Sequence, residues 1–299
     1  MYATAAGIAL GTLGPLSTIA YGAGMTSPTF AALRATIGAL VLGLILATTH
    51  GERVPLARLR KLDRALLGLT AVAQAALSLS IFAAYATMAV APVLAVYFCY
   101  PLMVAGASIG LGRERLTRTR AVALAIALAG LVAVVLGGSG VSGRVSVVGL
   151  LLAGFAAACQ ATYLVVSRAG FTRVPSQQAT AVILAGAAVL MWLVAAPIEL
   201  ESGHLASWLG SPTVWVAVPV AGILGAALAK VWMLRGVRRV GGTRAAVLML
   251  AEPVTGVVLA SILLSQGLTG TQLAGGVAVM AGALLAQRPA PAVTSNARR

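Results

Sequence analysis

Three ionisable side chains in this sequence stand where such groups are costly. Glu252 lies inside LMLAEPVTGVVLASILL (248–264), Lys230 inside AVPVAGILGAALAKVWML (217–234) and Arg34 inside SPTFAALRATIGALVLGLIL (27–46). A charge at the centre of an apolar helix costs about 2.5–3.5 kcal/mol on insertion scales, so each needs a partner or a use. Glu252 has three: an ion pair with Lys230, binding of a cationic substrate or a proton, or capping of backbone freed by Pro253, which lacks a donor. Lys230 and Glu252 lie eleven residues either side of Gly241. If that glycine turns a helical hairpin, the equal arms bring both to the same depth and make an ion pair geometrically available. Arg34 falls about 9 Å, six residues at 1.5 Å each, from the nearer end of its run. Its stem is long enough to snorkel outward, which is the first expectation, with gating or contact with an anionic substrate group as the alternative.

Neutral polar residues at mid-run join this candidate site: Gln74 and Ser78 in the third apolar run, Tyr97 and Tyr100 in the fourth, Gln160 and Tyr163 in the sixth. Each is a candidate either for lining a cavity or for hydrogen bonding between helices. Pro15, Pro101, Pro219 and Pro253 are candidate helix kinks that shape vestibules.

The elements that must hold these residues follow from composition. The chain is 60% hydrophobic and only 9% charged over 299 residues, with a mean hydropathy of +0.99. Soluble domains carry about 25% charged residues, so this is an integral membrane protein, and helices are the spanning element its long apolar runs permit. Ten runs are long enough to cross: 3–22, 28–48, 65–87, 91–111, 119–137, 147–167, 177–198, 213–234, 243–265 and 270–287. The first run is expected to be a helix of the mature protein rather than a cleaved leader, because residues 1–33 hold no Lys or Arg.

Basic residues orient the runs. With the N-terminus inside, 18 of the 21 Lys and Arg fall in inner loops or the C-terminal tail, and only Arg144 falls in an outer loop. That asymmetry predicts cytoplasmic N- and C-termini in the cell membrane, with the basic loops meeting anionic headgroups. The net charge of +15 is thus a topology signal and not a nucleic-acid footprint. Cys99 and Cys159 sit inside runs as small buried hydrophobes, and His50 and His204 stand alone in loops. Nothing assembles a catalytic set, a metal site or a cofactor motif, so no enzyme activity, metal or cofactor is expected.

An internal repeat gives the higher order. YPLMVAGASIGLGRERLTRTRAVALAIALAG (100–130) aligns without gaps on EPVTGVVLASILLSQGLTGTQLAGGVAVMAG (252–282), with Pro101 on Pro253, Leu111 on Leu263, Leu116-Thr117 on Leu268-Thr269, Thr119 on Thr271 and Ala129-Gly130 on Ala281-Gly282. The alignment also sets Tyr100 opposite Glu252. A unit of five helices is odd, so its copies cross the membrane in opposite senses, which is how many secondary transporters are built. The expected fold is all-α, ten transmembrane helices in two inverted five-helix repeats over 1–140 and 145–288, followed by a short basic cytoplasmic tail over 289–299.

The blocks SPTFAALRATIGALVLGLIL, APVLAVYFCYPLMVAGASIGLGRERLT and LMLAEPVTGVVLASILLSQGLT resemble the paired repeats of the EamA-type family of the drug/metabolite transporter superfamily, and the resemblance runs through both copies. It implies alternating access and movement, often outward, of small metabolites such as amino acids. Protons are the candidate coupling ion, and the small-molecule substrate and the lipid bilayer are the expected partners. A multidrug or lipid-precursor translocator is the alternative within transport, and a membrane-embedded enzyme or non-transporting subunit the alternative outside it. Arg34 matches an arginine common early in the family's second helix, Pro101 and Glu252-Pro253 its proline-centred helices, and Glu114 an acidic loop residue. Gln266 and Lys230 depart from the family's usual residues, which leaves the substrate class open.

Overall fold

A computed structural model describes residues 1–49, 53–87, 90–112, 117–137, 146–203, 205–264 and 269–287. His50, His204, Glu114, Gln266, Arg144 and the tail over 289–299 lie outside the described residues. The described chain is helical, and we number ten helices. α1 is in two pieces, Tyr2–Gly11 and Leu13–Gly22; α2 is Ser27–Thr48 and α3 Lys61–Thr87. α4 is again in two pieces, Val90–Tyr97 and Tyr100–Gly110, followed by α5, Arg118–Leu136. In the second half, α6 is Val147–Ala169, α7 Ser176–Ser202 and α8 the run Val214–Val240, while α9 is split into Gly242–Met249 and Ala251–Leu264 and α10 is Gly270–Gln287.

Eight of these contain a helical stretch long and apolar enough to cross a membrane. The expected fifth and tenth spans are apolar but shorter, Ala121–Leu136 and Gly270–Ala286 among the described residues. α8 runs six residues past the end predicted from hydropathy, taking Arg235, Arg238 and Arg239 into the helix. The reason is local: Arg168 from the end of α6 donates to the carbonyls of Val237 (3.3 Å) and Arg238 (2.5 Å), satisfying acceptors that would otherwise be orphaned at that helix end. Gly241 then turns the chain in one residue, at φ 90° and ψ 164°, a region open essentially to glycine. The hairpin centre read from the sequence is therefore a single residue long.

The four candidate kink prolines coincide with irregularities, whereas Pro197 lies inside an unbroken α7. α4 breaks at Phe98–Cys99 just before Pro101, and α9 breaks at Leu250 just before Pro253. α1 breaks at Thr12, three residues before Pro15, and α8 widens into a π-helical stretch, Ala221–Leu228, directly after Pro219. A proline cannot bond to the preceding turn, so the ladder shifts or opens there.

Packing relies on small residues. Buried positions are dominated by alanine, for instance Ala6, Ala31, Ala127, Ala156 and Ala227, while large apolar side chains such as Leu44, Leu151, Leu193 and Val277 point outward. This is the expected arrangement when the surrounding solvent is lipid and helices are held by close contact rather than by exclusion of water. The main pairings follow a rule, from which α6–α8 and α5–α9 depart: α2 packs on α7, α5 on α10 and α4 on α9, while α3–α6, α3–α7 and α4–α6 recur as α8–α1, α8–α2 and α9–α1. Adding five to each helix number, cyclically, reproduces the set.

Contacts also sort the connections between two ends. Gln178 at the start of α7 holds Val54 of the α2–α3 connection through both its amide atoms, at 2.6 and 3.0 Å. Arg238 of α8 donates to Phe171, Val174 and Ser176 of the α6–α7 turn, and Arg235 and Arg239 lie over the ring of Tyr2. The N-terminus and the α2–α3, α6–α7 and α8–α9 connections therefore share one end, rich in arginine.

Candidate functional site

The three charges picked out from the sequence converge. Arg34 (8% exposed) and Lys230 (5% exposed) are buried and Glu252 is partly buried. All three are within electrostatic reach of one another, Arg34 also of the hydroxyls of Tyr21 and Tyr97, and Glu252 of that of Tyr100. The backbone brings this about. Gly38 of α2 meets Ala226 and Ala227 of α8, and a Cβ built on Gly222 would stand 3.3 Å from the Arg34 carbonyl, so α2 and α8 touch closely alongside the site. On the far side, Gly7 and Gly11 of α1 press on α9: a Cβ on Gly11 would lie 2.6 Å from both the Glu252 carbonyl oxygen and the Thr255 Cβ. A glycine pair four apart is the pattern that allows such a contact.

Arg34 does not snorkel; its burial leaves the alternative of a role facing the interior. Lys230 and Glu252 do not form the direct ion pair that matched depth allows. The Lys230 ammonium instead lies over the Tyr163 ring, 5.1 Å from its centre, a cation–π contact from α6 worth about 0.5–2 kcal/mol. Among the described residues Arg34, Lys230 and Glu252 have no hydrogen bond, and the Arg34 Nε and the Tyr163 hydroxyl are buried without a partner. Burying each cation costs a few kcal/mol, which an opposite charge offsets more fully the closer it stands. With one carboxylate against two cations, the cluster carries a net positive charge.

The tyrosines of α4 form an aromatic wall: Tyr97 and Tyr100 ring centres are 5.6 Å apart, with Phe98 5.0 Å from Tyr97. The Tyr100 hydroxyl donates to the Ala246 carbonyl of α9 at 3.4 Å. Gln74 and Ser78 are bonded to each other, Nε2 to Oγ at 3.2 Å, and Gln160 donates to the Met233 sulfur of α8 at 3.8 Å. The first of these bonds lies within α3 and the second joins α6 to α8, and the carbonyl oxygens of Gln74 and Gln160 are left buried and unpartnered. No group of metal-ligating side chains forms among the described residues. Two surface grooves lie elsewhere, on apolar faces of α5, α9 and α10 and between α4 and α6.

Sequence reading passed over Glu199. It lies past the predicted end of the seventh span, yet it is only 3% exposed. Thr26 (2.8 Å) and Thr29 (2.6 Å) donate to one carboxylate oxygen and the Trp208 indole (2.6 Å) to the other. This ties the α1–α2 turn to the end of α7 and to a five-residue helix, Leu205–Leu209, at the end opposite the arginines. Nothing local in the sequence links residues some 170 positions apart, so only the fold reveals it.

Comparison with known proteins agrees with this architecture. One solved crystal structure, described only as a protein, superposes with a TM-score of 0.72 at 23% identity, covering 95% of this chain and 96% of that one, a likeness of fold. No curated protein matches the chain. Both halves match the EamA-like transporter family, over residues 1–136 and 147–287. Together these matches take in nearly all the described helices, and the chain belongs to the EamA-like transporter family.

Proposed function

We propose that this protein is a secondary transporter of the cytoplasmic membrane that moves small organic metabolites, amino acids or related compounds, outward by alternating access. The observation that carries the reading is the charged cluster itself. Two cations and a carboxylate, neighboured by Tyr21, Tyr97, Tyr100 and Tyr163, are gathered from α2, α8 and α9 in the interior of the bundle. Such groups are retained inside a membrane for substrates or coupling ions.

Two further observations support ten crossings in two inverted repeats with cytoplasmic termini. The main helix pairings repeat when helix numbers advance by five, and the connections sort between an arginine-rich end and the opposite one. The offset of 152 reappears in the helix contacts: Gly130 meets Gly275 and Val279, and Gly282 meets Ala123 and Ala127, each position differing from its counterpart by 152. That is the signature of a local twofold axis between α5 and α10.

The test is flux in proteoliposomes, with and without an imposed proton gradient, across amino acids, nucleosides and cationic drugs. Gradient-dependent movement of at least one metabolite is expected. Catalytic turnover without any flux would refute the reading, and movement of bulky cationic drugs alone would replace it with a multidrug one.

A further inference from the structure

We infer that the cation left without a counter-charge at this site is held for an oxyanion: the transported molecule carries a carboxylate or phosphate seated between Arg34 and Lys230, with its apolar part against Tyr97 and Tyr100. The inference rests on the transporter reading and narrows it to a chemical class.

Charge balance is the first argument. Arg34 and Lys230 sit within electrostatic reach of one another, and Glu252 is the carboxylate that acts on both. Glu199, the other buried carboxylate among the described residues, is engaged by Thr26, Thr29 and Trp208 at one end of the bundle. Two buried cations facing one anion leave a site of net positive charge, to which an anion is drawn and from which a cation is repelled.

Unused donors are the second. Arg34 is 8% exposed with its Nε unpartnered, and its planar guanidinium is shaped for two oxygens of one acid group. Lys230 offers three donors, and its ammonium is positioned by the Tyr163 ring rather than consumed by a hydrogen bond. Glycines at 7, 11, 38 and 222 press α1 and α2 so closely on α9 and α8 that the groups are held in place before a ligand arrives. A zwitterion fits the same arrangement, its ammonium answering Glu252, but on this reading the acid group is the indispensable one.

The full-length protein, purified in detergent, is tested by thermal unfolding against three probes that share a phenyl body: 3-phenylpropionate, phenyl phosphate and phenethylamine. One or both anions should raise Tm and the amine should not; the stronger anion tells carboxylate from phosphate. Lys230→Met and Arg34→Gln should each weaken anion binding by about tenfold or more, with Arg34→Lys retaining more of it than Arg34→Gln. Stabilisation by phenethylamine but by neither anion, no shift with either anion, or unchanged anion affinity in both neutral variants overturns the inference. The wild-type series stands even if a variant fails to fold. Flux of the same probes separates the two readings: anion binding without transport of any compound refutes the transporter and keeps the site, whereas transport of the amine alone keeps the transporter and refutes the site.

Discussion

The contact between α5 and α10 and the junction of α2, α8 and α9 are both assembled from the two halves of the chain, and they treat symmetry in opposite ways. At α5–α10 the halves contribute the same thing. A Cβ on Gly130 would stand 2.6 Å from the Gly275 oxygen, and one on Gly282 2.7 Å from the Ala123 oxygen, in matched positions. At the charged junction they do not. The same offset pairs Glu252 with Tyr100, Lys230 with Ser78 and Arg34 with Gly186, a charge against a neutral residue each time. The scaffold keeps the repeat because backbone contact depends on shape, and the site abandons it because two copies of each charge would double a burial cost already only partly offset.

The largest effects should come from breaking the symmetric contact. Gly130→Leu and Gly282→Leu both drive side chains into backbone, and overpacking of this kind costs about 1–3 kcal/mol or more. Each should lower Tm in detergent strongly and to a similar degree; a large loss at one position beside tolerance at the other would dissolve the twofold contact. Glu252→Gln comes next, and its effect should fall on function instead. Transport in proteoliposomes should vanish at every pH while Tm and elution volume stay near wild type, and normal flux would remove Glu252 from the mechanism. Tyr163→Leu should have an intermediate effect, withdrawing the ring beneath Lys230, worth about 0.5–2 kcal/mol, and raising KM more than it lowers kcat. Tyr100→Phe should be smallest, since one long hydrogen bond to Ala246 contributes about 1 kcal/mol or less. If it matched Glu252→Gln in effect, the hydroxyl would have to be placed among the working groups.

Much of this was legible in the sequence because the bilayer enforces it. Apolar length fixes where helices run, and equal arms about Gly241 bring Lys230 and Glu252 to one depth, whereas the approach of Arg34 to them is visible only in the fold. Side-chain direction is not legible either. Matched depth on a hairpin leaves the rotation of each helix free, and rotation gave Lys230 to Tyr163 of α6 rather than to Glu252. Gln74, Ser78 and Gln160 read as equal candidates with the tyrosines, yet Gln74 bonds Ser78 one turn along α3 and Gln160 bonds Met233 of α8, partners that hydropathy does not encode. Hydropathy likewise ended α8 at the first arginine, missing that carbonyls at the helix end receive Arg168.

The π-helical stretch Ala221–Leu228 lies between Pro219 and Lys230. An α-helix advances about 100° per residue, so a π turn holds one residue more than the α-helical register would. Were that residue released into regular α-helix, the half of α8 ahead of it would rotate by about 100° relative to the half that carries Lys230. The far end is braced by Arg168 and Arg238 against α6 and the α6–α7 turn, and Gly241 couples it to α9. α8 thereby stores one residue of register between its clamped, arginine-rich end and Pro219, with the buried ammonium within one turn of it.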